Sequence, residues 1–145
     1  MKLSDAVRLG SMMKPQAFFG NDNAGTCALG AAAEAVGIPH HYSGKNYNDP
    51  DYGKLRMEFP ILSIERDCPC GVCTFKGRLL MDIIWFLNDT HRWTRERIAD
   101  YIETVEAVMP ECNPPECDVC TTEPALRSEA RNDIDAWHAK QEVRQ

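Results

Sequence analysis

Six of the seven cysteines of this chain fall into two short clusters. The first is Cys68-Pro69-Cys70-Gly71-Val72-Cys73. The second is Cys112, Cys117 and Cys120, in the run Cys-Asn-Pro-Pro-Glu-Cys-Asp-Val-Cys. Each contains a Cys-x-x-Cys pair, Cys70/Cys73 and Cys117/Cys120. Two thiolates at that spacing on a turn can face one ion, and tetrahedral zinc prefers sulfur and nitrogen ligands so arranged. Zinc is therefore the expected cofactor. The candidate ligands are Cys68, Cys70, Cys73, His91, Cys112, Cys117 and Cys120.

Two ligand sets compete. In one, Cys70, Cys73, Cys117 and Cys120 form a four-cysteine site that staples the tail to the core. The 43 residues between Cys73 and Cys117 are more than such sites usually span. In the other, the first cluster works with His91, which follows Cys73 after 17 intervening residues, nearly all of them helical by pattern. A finger of that kind normally has a second histidine close by. The positions one turn earlier are Phe86 and Leu87, which cannot ligate, so Cys68 completes a three-cysteine, one-histidine set. The second cluster is then separate, incomplete or structural.

Other chemistries fit these residues less well. Cys112-x4-Cys117-x2-Cys120 has the spacing of a plant-type iron–sulfur loop, but no fourth cysteine follows Cys120. A zinc-deaminase pattern fails because no histidine is followed by glutamate at the required offset. A Cys-x-x-Cys redox pair lacks a βαβ context. Cys27, in Asn23-Ala-Gly-Thr-Cys-Ala-Leu-Gly, sits at the start of a helix whose dipole would lower its pKa. It could serve as a nucleophile with His91 or His41 as base, oriented by Asp89 or Asp49. The simpler reading of Cys27 is core packing.

Helices must position these groups, and the expected fold class is mainly α. Ser4 caps a first helix reaching Met13, which Lys14-Pro15 stops. Thr26 caps a second, Cys27 to Val36, whose alanines permit close approach; Gly37 and Pro39 close it. Residues 38–53 read as an ordered loop. A short helix and one strand lead into the first cysteine cluster. The strongest pattern runs from Arg78 to Leu87, with Leu79, Leu80, Ile83, Ile84 and Leu87 at helical spacing. Thr94 caps the next helix, striped by Ile98, Tyr101, Ile102, Val105 and Val108. With the turn Thr90-His91-Arg92-Trp93 these make a helical hairpin, read as the core. A last helix over about Pro124 to Lys140 would dock by Trp137 or project as a partner-binding arm. The expected division is a helical core domain with a zinc-knuckle-like turn over 1–109 and a Cys-rich C-terminal extension over 110–145.

The 145 residues are 43% apolar and 26% charged, ordinary for a folded domain. A net charge of -6 disfavours nucleic acid as a partner. The basic stretch Arg92, Arg95 and Arg97 is interrupted by acids and reads as a solvated helix start. No signal peptide or membrane span is evident, since the longest apolar run is Ile83–Leu87. A cytoplasmic location is expected, where thiols stay reduced and ligate metal rather than pair.

Three segments, Gly-Thr-Cys27-Ala-Leu-Gly, Cys68-Pro-Cys70-Gly-Val-Cys73 and Leu87-Asn-Asp-Thr-His91-Arg-Trp-Thr-Arg-Glu-Arg-Ile-Ala-Asp100, together carry a resemblance. The chain resembles a group of small uncharacterised bacterial and phage proteins over roughly residues 1–108. The resemblance implies that Cys68, Cys70, Cys73 and His91 belong to one unit, and it implies no activity. The expected function is a zinc-binding, non-enzymatic module that contacts another protein or itself, with a small cysteine hydrolase or thiol redox protein as the alternative and an iron–sulfur protein as a further one.

Overall fold

A computed structural model describes residues 1–18, 25–42 and 48–109. The chain divides into two units, Met1–Glu111 and Cys112–Gln145. The second lies outside the described residues, and with it the expected helix over 124–140, Trp137, and the ligands Cys112, Cys117 and Cys120.

Five helices dominate the described residues, so the mainly α expectation holds: α1 Leu3–Ser11, α2 Ala28–Ala35, α3 Tyr52–Glu58, α4 Leu80–Asp89 and α5 Arg95–Ala107. Four short strands join them. β1 His40–Tyr42 pairs antiparallel with β2 Asn48–Pro50, with His40 opposite Pro50. β3 Glu65–Arg66 pairs antiparallel with β4 Arg78–Leu79. No helix of the described residues is long and apolar enough to cross a membrane.

The α1–α2 contact depends on small residues. A Cβ added at Gly10 would lie 1.8 Å from the Ala31 carbonyl oxygen, so only glycine allows this approach. Ala28, Ala31, Ala32 and Ala33 are all fully buried. The alanine-rich face therefore does what its composition suggested. α2 ends as expected: Ile38 N–H donates to Ala33 O at 2.9 Å and Gly37 N–H to Glu34 O at 3.2 Å, which satisfies two orphan carbonyls.

Several expectations need correction. Ser4 is not the cap of α1; Lys2 occupies that position without a side-chain bond. The cap comes from α5. Glu106 Oε1 accepts from the N–H of Leu3 (2.8 Å) and of Ser4 (3.3 Å), and Oε2 accepts from the Ser4 hydroxyl (2.5 Å). A carboxylate at a helix N-terminus is favoured by the helix dipole as well. Thr26 does not cap α2 either. Cys27 does, its Sγ accepting from Gly30 N–H at 3.3 Å. Residues 38–53 are not a single loop, since they contain β1, β2 and the start of α3. Arg78 and Leu79 belong to β4 rather than to the helix that follows.

The expected α4–α5 hairpin is not the packing core. α5 lies mainly along α1, and α1 along α2. The chain reverses at Arg92, which adopts a left-handed φ of 53°. Arg95 then anchors the start of α5 to the segment after α1. This arginine is not solvated: it is 6% exposed. Its guanidinium donates to the carbonyls of Ser11 (3.3 Å), Lys14 (2.5 Å), Pro15 (3.2 Å) and Thr26 (3.3 Å), and to Thr26 Oγ1 (2.9 Å). Asn88 completes this polar layer: its Oδ1 accepts from Gln16 Nε2 (3.0 Å) and Ala28 N–H (3.2 Å). Around it, Leu29, Leu55, Leu62, Leu80, Ile83, Ile84 and Leu87 form the apolar interior. Thr94 does cap α5, accepting from Arg97 N–H at 3.2 Å.

Candidate metal centre

β3 and β4 form a two-stranded ribbon whose far end carries the first cysteine cluster. Arg66 pairs with Arg78, Gly77 N–H donates to Asp67 Oδ1 (3.0 Å), and Cys68 N–H donates to Phe75 O (2.8 Å). At the tip the chain turns through Gly71, whose φ of +75° suits glycine alone without strain. The turn brings Cys73 N–H to 3.3 Å from Cys70 Sγ. Such N–H···S bonds favour the thiolate. Accordingly the N–H of Val72, with that of Cys73, holds Cys70 down to about 6. Burial pushes Cys68 the other way, to about 12. Crowded thiols cannot all ionise together unless a cation offsets their charge.

The fourth group comes from the turn after α4. α4 ends at Asp89, and Thr90 and His91 both donate backbone N–H to Phe86 O, at 2.9 and 3.2 Å. This places the imidazole against the Phe86 ring, edge to face, with centroids 4.9 Å apart. Phe86 stacks in turn on Phe75 of the ribbon at 4.5 Å, nearly parallel. Two phenylalanines thus hold the histidine-bearing turn and the thiol-bearing ribbon together. Phe86 cannot ligate, as expected; sequence reasoning missed that it positions a residue that can.

The result is one cluster of four half-buried groups, Cys68, Cys70, Cys73 and His91, whose ligand atoms all lie within 4.8 Å of one another. Zinc–sulfur bonds of about 2.3 Å in a tetrahedron put sulfurs about 3.8 Å apart, so at most about 1 Å of closure is needed. His91 Nε2 is buried and has no hydrogen-bond partner among the described residues. A buried imidazole nitrogen without a partner is costly unless it serves another purpose, and metal ligation is one. His40 Nε2 is also buried and without a hydrogen-bond partner among the described residues. No second group of ligands gathers around it among the described residues.

Of the two ligand sets, the three-cysteine, one-histidine set is therefore brought together. Cys117 and Cys120 of the four-cysteine set, and Cys112 of the iron–sulfur loop, fall outside the described residues. The nucleophile reading of Cys27 meets a contrary environment. The thiol is 1% exposed. Burial, with Asp89 nearby, pushes it up to about 11, although Gly30 N–H opposes the rise. The helix start was expected to lower this pKa, but desolvation outweighs the dipole.

The fold and site define a small, mainly α domain with a Cys3His group that could hold a metal ion. Comparison with protein-family models, with curated proteins and with solved structures finds no match to this chain.

Proposed function

We propose that residues 1–109 form a zinc-stabilised module, not an enzyme, that acts in the reducing cytoplasm by contacting another protein. The observation that carries this is the convergence of Cys68, Cys70, Cys73 and His91 within 4.8 Å. Borderline-soft zinc suits three thiolates and one imidazole better than hard calcium or magnesium, which take oxygen. Four protein ligands would close the coordination sphere, as in structural rather than catalytic sites. The ion would tie the ribbon to the turn after α4, and its binding energy would become folding energy.

The non-enzymatic reading is supported by the burial of Cys27, whose place at a helix start made it the candidate nucleophile. Native mass spectrometry of the full chain tests the proposal. The expected result is retained zinc that a chelator removes, with loss of helical signal and of thermal stability. Protein that carries no metal, or whose mass shows Cys68, Cys70 or Cys73 paired as disulfide under reducing conditions, overturns it.

A further inference from the structure

The thiols of the metal centre and the thiol of Cys27 meet solvent very differently. Cys68, Cys70 and Cys73 are each half-buried. The residues that flank them, Asp67, Pro69, Gly71, Val72 and Thr74, are all exposed. Val72, between Cys70 and Cys73, is 84% exposed, whereas Cys27 is 1% exposed. Oxidation of sulfur follows thiolate character and access. Zinc ligation supplies the first, because a coordinating thiol is deprotonated. The ribbon tip supplies the second. A small oxidant therefore reaches the centre more readily than it reaches Cys27.

The turn also favours one product. The sulfurs lie within 4.8 Å of one another, close enough for two of them to join after a small movement. Cys70 and Cys73 are separated by Gly71 and Val72 on a turn that already brings Cys73 N–H to 3.3 Å from Cys70 Sγ. That is the spacing at which paired thiols cycle with a disulfide. Cys68 is placed less well. Its N–H is tied to Phe75 O at 2.8 Å, and Pro69 fixes φ between it and Cys70.

We infer that the centre is a redox switch: hydrogen peroxide converts Cys70 and Cys73 to a disulfide and so releases the zinc. This rests on the zinc-module reading and adds its regulation. One of the two thiolates attacks the peroxide. An S–O bond forms, the O–O bond breaks, and the departing oxygen takes a solvent proton and leaves as water. The other thiolate then attacks that sulfur. The S–S bond forms, the S–O bond breaks, and hydroxide leaves and takes a second proton. Two electrons pass from the sulfur pair to the peroxide. Cys68 and His91 remain, two ligands where structural zinc takes four. The ribbon is only two residue pairs long; it keeps the Phe75–Phe86 stack but loses its link to His91.

The test treats the zinc-loaded full chain with hydrogen peroxide beside a zinc indicator. Samples are alkylated over time and their peptides mapped by mass spectrometry. Zinc should appear in step with a Cys70–Cys73 disulfide, and these two thiols should be consumed about tenfold or more faster than Cys27. Dithiothreitol followed by zinc should restore the bound metal and the thermal midpoint. A C112S/C117S/C120S chain keeps only Cys27, Cys68, Cys70 and Cys73, and should release its zinc at the same rate. C73H retains four ligands without the sulfur pair, and its release should be about tenfold slower. Zinc retained after peroxide, zinc released without the Cys70–Cys73 disulfide, or Cys27 consumed as fast as that pair overturns the switch alone. A chain that holds no zinc before treatment overturns the zinc reading and the switch with it.

Discussion

Replacing Arg95 by methionine should be among the most damaging single changes in this domain. The guanidinium is buried and makes five hydrogen bonds to four residues before α2. Two of its acceptors keep another partner: Thr26 O also accepts from Ala17 N–H (2.9 Å), and Pro15 O from Thr26 N–H (3.0 Å). The carbonyls of Ser11 and Lys14 and the Thr26 hydroxyl have no such insurance in this network. A buried group left unsatisfied costs about 1–3 kcal/mol, so three of them cost about 3–9 kcal/mol after Arg95→Met. The lost desolvation of the cation returns part of this, leaving about 2–5 kcal/mol. Domains of this size have only about 5–15 kcal/mol in total. Urea unfolding of the zinc-loaded chain measures the effect as a lower midpoint with an unchanged slope. Arg97→Met is the matched control. Arg97 is exposed and lies over Trp93 at 3.7 Å, so its loss should cost about 1 kcal/mol or less. Equal costs for the two variants, or a stabilised Arg95→Met, would refute the reasoning.

Other consequences can be checked directly. Spreading about 10–16 kcal/mol of structural zinc binding over four ligands gives His91→Ala a loss of about 10²- to 10³-fold in zinc affinity. Chelator competition reads this, and Cys27→Ala should leave the affinity unchanged. Zinc should also dissociate on acidification, because thiols and imidazole must be deprotonated to ligate; titration with a zinc indicator follows it. Gly10→Ala should destabilise by about 1–3 kcal/mol, despite alanine's better helix propensity, because the new Cβ meets the Ala31 carbonyl. Thermal unfolding measures that change. The Cys27 thiol, raised to about 11 in the folded chain against an ordinary value of 9.0, contributes stability that is full below pH 9 and lost as pH rises toward 11. Two units correspond to roughly 2–3 kcal/mol, and a Cys27→Ala variant should lack that share of the alkaline loss.

Among the described residues, the helices that periodicity announces are present. α4 and α5 follow stripes at helical spacing, Thr94 caps as its type suggests, and Gly37 stops α2. The Cys-x-x-Cys turn was equally visible, because its ligands are three residues apart. His91 was not decidable by spacing: its approach to the thiols depends on the ribbon doubling back and on Phe75 stacking on Phe86. Long-range partnerships escaped for the same reason. Nothing near Ser4 signals that Glu106 caps α1, and no local pattern separates buried Arg95 from exposed Arg92 and Arg97. The β1–β2 pairing was masked by Pro39, Asp49 and Pro50, residues that usually mark loops. Helix neighbours were misjudged because adjacency in sequence suggested α4 with α5. α5 instead lies along α1, which in turn meets α2 where Gly10 admits the Ala31 backbone.

X-ray absorption at the zinc edge of the full, natively loaded chain probes the centre most directly. Three sulfurs at about 2.3 Å and one imidazole nitrogen at about 2.0–2.1 Å are expected, with the nitrogen shell lost in His91→Ala. Four sulfurs around the ion in the unaltered chain, or a shell of oxygens, would contradict the Cys68, Cys70, Cys73 and His91 assignment.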